Sequence, residues 1–133
     1  MILLNGESLA YIGDAIYELK IREYILESGF QDVNKLHKLA VKYTSGEAQA
    51  QIVDFLIHNN ELTEEEISYY KRGRNSGHSK NRRSISVISY KKATGFEAMI
   101  GFLHLTAQNQ RLEELLKRIV QIVEEGLMWQ KEN

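Results

Sequence analysis

The sequence predicts an all-α fold, and three observations carry that expectation. Apolar residues recur at helical spacing, most clearly at Leu112, Leu115, Leu116, Ile119, Ile122 and Val123. Capping residues stand just ahead of such stretches, and the 133-residue chain has no proline to interrupt them. The one stretch that alternates like a strand, Ile85-Ser86-Val87-Ile88-Ser89-Tyr90, is short and has helical neighbours, so it reads as a loop entering a helix.

Taken in order, Asn5 can cap a first helix that runs to about Glu27 and stops at Ser28-Gly29. Leu9, Ala10, Tyr11, Ile12, Ala15, Ile16, Tyr17 and Leu19 make it apolar nearly all round, which predicts a buried helix. Val33, Leu36, Ala40 and Tyr43 follow helical spacing. Thr44-Ser45-Gly46-Glu47 then offers a capping box for a segment reaching Phe55 and Leu56. Thr63-Glu64-Glu65-Glu66 is another such box and opens a helix into Lys71. Gly73, Asn75, Ser76 and Gly77 are expected to break it, leaving residues 73–84 as a mobile basic loop. Helices over Thr94 to Leu105 and Leu112 to Leu127 complete the set. With no internal repeat or low-complexity tract, residues 1–133 are expected to form a single domain.

Composition excludes several classes. The absence of cysteine rules out a disulfide framework and thiolate zinc sites, and it fits a reducing cytoplasm. Residues 1–4 are too short an apolar stretch for a signal peptide, and no run approaches the ~18 apolar residues of a membrane span. A cytoplasmic protein with no membrane partner is expected. No nucleophile triad, phosphate-binding glycine loop or dinucleotide fingerprint is present.

Charge is more telling. From Ile67 to Phe96 the chain carries Lys71, Arg72, Arg74, Lys80, Arg82, Arg83, Lys91 and Lys92 and no acid. The formal net charge is −1, so these eight cations leave the rest of the chain near −9. Such a run is often only a solvated face, but in so acidic a chain it points to a polyanion. It ends against a lone carboxylate, Glu97, in an apolar stretch.

The other acids out of place lie on the first helix. At 100° per residue Glu7, Asp14 and Glu18 share the one gap in its apolar surface, where like charges repel unless a cation or a basic side chain neutralises them. Asp14 follows Gly13, and Glu97 shares a face with Gly101. Two helices that each carry an acid beside a glycine can cross closely and offer oxygen ligands to a hard cation such as Mg2+. The alternative is that each acid pairs with a buried arginine or caps a neighbouring helix. His37, His78 and His104 are more simply hydrogen-bonded structural residues, and Tyr69 and Tyr70 more simply packing residues.

Two segments carry a family resemblance. Leu9-Ala10-Tyr11-Ile12-Gly13-Asp14-Ala15-Ile16-Tyr17-Glu18 resembles the signature of the ribonuclease III catalytic domain, whose aspartate binds metal. Phe96-Glu97-Ala98-Met99-Ile100-Gly101 resembles that family's second motif, whose glutamate is the other ligand. Leu36-His37-Lys38, Lys71-Arg72-Gly73-Arg74-Asn75 and a length with no room for a double-stranded-RNA-binding domain are similar to the Mini-ribonuclease III branch. The resemblance implies an all-helical homodimer holding duplex RNA in a valley, with Mg2+-dependent cleavage and a role in ribosomal RNA maturation. It implies Asp14 and Glu97 as catalytic metal ligands, with Glu7 as a further candidate. Larger relatives carry additional acids where this chain has Ala10 and Thr94, so one tightly held metal per site is expected and Glu18 is expected to pair with a nearby Lys or Arg.

The expected function is therefore a metal-dependent endoribonuclease for double-stranded RNA. Lys71, Arg72, Arg74, Lys80, Arg82 and Arg83 would grip phosphates. The first helix and the Glu97 helix, whose small residues permit close packing, are candidates for the dimer contact. The rivals are a catalytically silent relative that binds RNA or ribosomes, and a helical protein-interaction module. The first keeps both motif acids without a use for them, and the second leaves the acid and base arrangement unexplained.

Overall fold

The computed structural model describes residues 4–29, 32–76 and 86–128. Among them are six helices and no strand: α1 (Gly6–Glu27), α2 (Val33–Thr44), α3 (Gly46–His58), α4 (Glu64–Arg74), α5 (Val87–Leu105) and α6 (Asn109–Glu124). The all-α expectation holds. Lys80, Arg82, Arg83 and His78, with most of the expected basic loop, lie outside the described residues.

α5 is the axis of the fold. Phe96, Ala98, Met99, Ile100 and Leu103 are wholly buried, and α1, α3, α4 and α6 pack around them. α1 contributes Leu9, Tyr17 and Ile21, α3 contributes Ile52, Val53 and Leu56, and the expected α6 stripe contributes Leu112, Leu115, Ile119 and Ile122. The Tyr17 ring meets Phe96 edge-on at 4.9 Å, while its hydroxyl reaches past the core to donate to the Tyr43 carbonyl at 2.8 Å. That bond satisfies a polar tip that burial would otherwise penalise. Burial also pushes the Tyr17 hydroxyl well above its usual pKa.

Side-chain caps mark the starts of α1 to α5, while α6 begins after Gln108 without one. Asn5 accepts from the Ser8 amide, and Thr63 and Glu66 form the reciprocal box expected of them. At α3 the cap is Ser45, one residue later than expected, because the Thr44 hydroxyl donates to the Ala40 carbonyl as the last residue of α2. α5 begins at Val87 with Ser86 as its cap, so the alternating stretch is already helical from there. The α-helix of α6 stops at Glu124, where Gly126 turns the chain at positive φ, leaving Leu127 outside it.

Two expectations are corrected by packing. Gly73 does not break α4; it is buried within the helix because Gly95 and Ala98 of α5 press against it, and a side chain there would meet the Gly95 Cα at 2.9 Å. The first helix is not buried all round. Tyr11 is 79% exposed, Leu19 51% and Leu26 56%, since α5 covers only one side. The small residues of α5, by contrast, are spent on α1 and α4 inside the chain and are not available to a second subunit.

Charged pairs tie α6 to the α3–α4 connection. Arg111 donates to both carboxylate oxygens of buried Glu66, at 2.7 and 2.9 Å, and to the Glu61 carbonyl at 2.8 Å. Arg118 holds the Glu61 carboxylate at 2.7 and 2.9 Å. Glu66 is thus a buried acid paired with arginine. Burial alone would raise its pKa, but the bonds from Arg111 and from the Thr63 backbone outweigh that and hold it below the ordinary value.

Candidate active site

α1 and α5 cross with their backbones in contact. A Cβ on Gly13 would fall within bonding range of the Glu97 carbonyl and 2.9 Å from the Gly101 nitrogen, and one on Gly101 would overlap the Leu9 carbonyl. Only hydrogen fits at either position, so the two glycines set the helix separation. Asp14 and Glu97 adjoin that crossing. The acids on two separate helices are brought to one level, as the paired acid-and-glycine pattern anticipated.

Both open onto a cavity of about 280 Å³. Asp14 and Glu18 form its α1 wall, Tyr90, Ala93, Thr94 and Glu97 its α5 wall, and Thr44, Gly46 and Gln49 close it at the α2–α3 corner. Three carboxylates line it, with no Lys, Arg or His lining it among the described residues. Glu18 accepts from Arg22 on the adjoining turn at 3.1 Å, the pairing expected of it. Both partners are solvent-exposed enough for that pair to be worth little, so the cavity remains acidic.

Among the described residues no three His, Cys, Asp or Glu side chains form a preformed metal cluster. The hard oxygens that line the cavity are the carboxylates of Asp14, Glu18 and Glu97 and a buried amide oxygen on Gln49. That donor set fits Mg2+, which usually keeps several waters and takes only one or two protein carboxylates. Glu7 stands exposed in the first turn of α1, on the same stripe as Asp14 but outside the cavity wall.

Of the described part of the basic segment, Lys92 on α5 pairs with Asp54 at 2.8 Å, and the α4 residues reach this site only through the packing of their helix on α5. Lys71, Arg72 and Arg74 form the last turn of α4. Gly73, between them, abuts Thr94 and Ala98, the residues that bracket Glu97 on α5, and the Arg72 carbonyl seats Gly6 at the start of α1. Arg72 lies over the Tyr69 ring at 4.8 Å and Arg74 over the Tyr70 ring at 5.6 Å. Those tyrosines are packing residues, as expected: Tyr70 is buried and Tyr69 stacks on Phe102 at 3.7 Å. His104 and His37 line other grooves and do not touch the cavity.

Gln49, Thr44 and Tyr90 were not singled out by the sequence. Gln49 shares the buried face of α3 with Ile52, Val53 and Leu56, and near the α2–α3 corner it lines the cavity with the acids. A polar residue on a buried face was the one available signal.

Comparison with known proteins bears on the family and the fold. The sequence model described as "Ribonuclease III domain" matches residues 7–108. A Mini-ribonuclease 3 of Enterococcus faecalis is 46% identical over 122 residues, covering 92% of each chain. Those of Streptococcus pneumoniae and Staphylococcus aureus are 42% and 41% identical over 92% of this chain, covering 95% and 92% of their own. A crystal structure of a Fusobacterium nucleatum protein superposes with a TM-score of 0.79 at 32% identity, over 88% of this chain and 93% of its own.

Proposed function

This chain belongs to the ribonuclease III family and is an endoribonuclease of that type, and from that premise we propose that it cleaves double-stranded RNA with the help of a divalent cation, Mg2+. The observation that carries the reading is the Gly13–Glu97 crossing, which sets Asp14 and Glu97 at one level on an acidic cavity beside the basic end of α4. Asp14 and Glu97 would hold the cation, with Glu7 as a further candidate. When bound, the cation makes a water more acidic and offsets charge on the phosphoryl oxygens.

The protein's own residues supply position and field. The helix crossing fixes the backbone positions from which the two carboxylates project, and groups anchored in advance contribute to catalysis with less reorganisation. Lys71, Arg72 and Arg74, joined by Lys80, Arg82 and Arg83, bind phosphates and bring the scissile one over the acids. Since A-form RNA is read mainly through its shape and 2′-hydroxyls, sequence preference is modest. Residues 1–133 act as one domain.

The functional unit we propose is a homodimer, with two cavities on opposite strands of one duplex. Tyr11, Ala15 and Leu19, spaced i, i+4, i+8 on the open side of α1, give it an apolar face. The substrate we infer is a ribosomal RNA precursor in the bacterial cytoplasm. No helix of the described residues is long and apolar enough to cross a membrane.

Incubating the purified protein with a generic RNA duplex, with Mg2+ and then with chelator, tests the core of this reading. Cleavage that needs the cation and leaves single-stranded RNA intact is expected. Cleavage that persists in chelator would remove the cation from the mechanism.

A further inference from the structure

Gln49 is 3% exposed and lines the acidic cavity with Asp14, Glu18 and Glu97. Its Nε2 donates to the Thr44 carbonyl at 3.0 Å, and its Oε1 has no hydrogen-bond partner among the described residues. The amide cannot be turned round to relieve this, because the Thr44 carbonyl only accepts and would then face another oxygen. A buried carbonyl oxygen without a donor costs roughly 1–3 kcal/mol, so a fold retains one where a donor arrives from outside the chain. Gln51 carries the other such oxygen among the described residues, but it lines a groove whose one acid is Glu47.

The donors that enter an acidic cavity with a hard cation are the cation's waters. Mg2+ and Mn2+ keep part of their hydration shell when held by few carboxylates, and those waters are polarised into strong donors. The carboxylates of the cavity offer acceptors on α1 and α5, and Gln49 offers a neutral one from the α3 corner. The proposed function supplies the premise, and on it we propose that Gln49 is a positioning residue: its Oε1 accepts a hydrogen bond from a hydration water of the cation held by Asp14 and Glu97. Partners that orient a metal's shell in this way typically change metal affinity by 10–100-fold when removed.

The test titrates MnCl2 alone into the full-length protein without RNA, with free Mn2+ counted by electron paramagnetic resonance. Gln49→Met keeps the volume and removes the oxygen, whereas Gln49→Glu keeps an oxygen. Both lose the bond to Thr44, so a purely structural role gives Gln49→Met no loss of Mn2+ beyond what its own melting curve accounts for, while the added charge of Gln49→Glu favours the cation in any case. The expected result is Mn2+ binding at least ~10-fold weaker in Gln49→Met and parental or tighter in Gln49→Glu. The Mn2+-induced rise in melting temperature should shrink in the first variant and persist in the second. Asp14→Asn and Glu97→Gln serve as controls. If they lose Mn2+ while Gln49→Met binds as the parent does, Gln49 has no such role and the cation site stands. If all four bind as the parent does, the cation site itself fails and this inference with it. Should Gln49→Met not fold, Gln49→Leu takes its place, with weakened Mn2+ binding supporting the proposal and parental binding overturning it.

Discussion

Gly13 and Glu97 touch backbone to backbone, and no side chain larger than hydrogen fits between them. Gly13→Ala must therefore push α1 and α5 apart or distort one of them. Overpacking of this kind costs about 1–3 kcal/mol or more. The melting temperature should fall by several degrees, and cleavage should fall further than the stability loss accounts for, because the spacing of Asp14 and Glu97 changes with the helices. Melts and single-turnover rates on the same preparation check this. An alanine variant with parental activity would show that the crossing does not set the site.

Asp14→Asn and Glu97→Gln should each reduce cleavage at least ~100-fold while duplex binding stays near parental. Each also removes one of three carboxylates from a cavity that no cation lines among the described residues, so thermal stability should hold or rise slightly. Activity assays, gel shifts and melts together decide it, and full activity in either variant removes that residue from the site.

The basic residues should act through affinity. Replacing Lys71, Arg72 and Arg74 by alanine, or Lys80, Arg82 and Arg83, should weaken duplex binding and flatten its salt dependence, by up to ~0.9 in log-log slope per lost phosphate contact. Turnover at saturating RNA should change little. A triple variant that binds duplex as tightly as the parent at low and high salt would make its segment merely a solvated face.

Glu66 predicts an acid limb in the stability profile. Its folded pKa lies below the ordinary value of 4.5, so the Arg111 pair stabilises the fold above that value. This contribution declines as pH falls below about 4.5 and is gone once pH passes below the folded pKa. Glu66→Gln should cost about 1–3 kcal/mol at neutral pH and should lose less stability than the parent on acidification. Denaturant midpoints at neutral and acid pH make the comparison, and parallel profiles would contradict it.

If the open face of α1 forms the dimer, Tyr11→Glu with Leu19→Lys should shift the protein to monomer without unfolding it, since both side chains are already exposed. Sedimentation at micromolar protein reads the outcome. A parental protein that is itself monomeric and fully active would defeat the dimer.

Much of this fold could be read in the chain because it rests on local rules. The α6 stripe, the Asn5 cap and the Thr63–Glu66 box each need only a few neighbouring residues, and each lies where its pattern put it. Gly73 was misread because a glycine that ends a helix and one that admits another helix look alike until the partner is known. Tyr11 and Leu19 were misread because periodicity reports apolar surface, not what covers it. At the site, the acid-and-glycine pairs on two helices were legible. Gln49 was not, since its place depends on the bend between α2 and α3 and on three elements meeting.

The contact between Gly13 and the Glu97 backbone has a consequence for ion choice. With no slack between the helices, the gap spanned by the two acids depends on side-chain length and rotamer alone. Mg2+ demands near-octahedral oxygens at about 2.0–2.1 Å, whereas Ca2+ accepts looser shells at about 2.3–2.6 Å. A stiff aperture sorts such ions by radius where a floppy one would yield to either. Lengthening one jaw by a methylene, as in Asp14→Glu, would then retune which ion is accepted, and two glycines that touch no ion would be what keeps the gauge true.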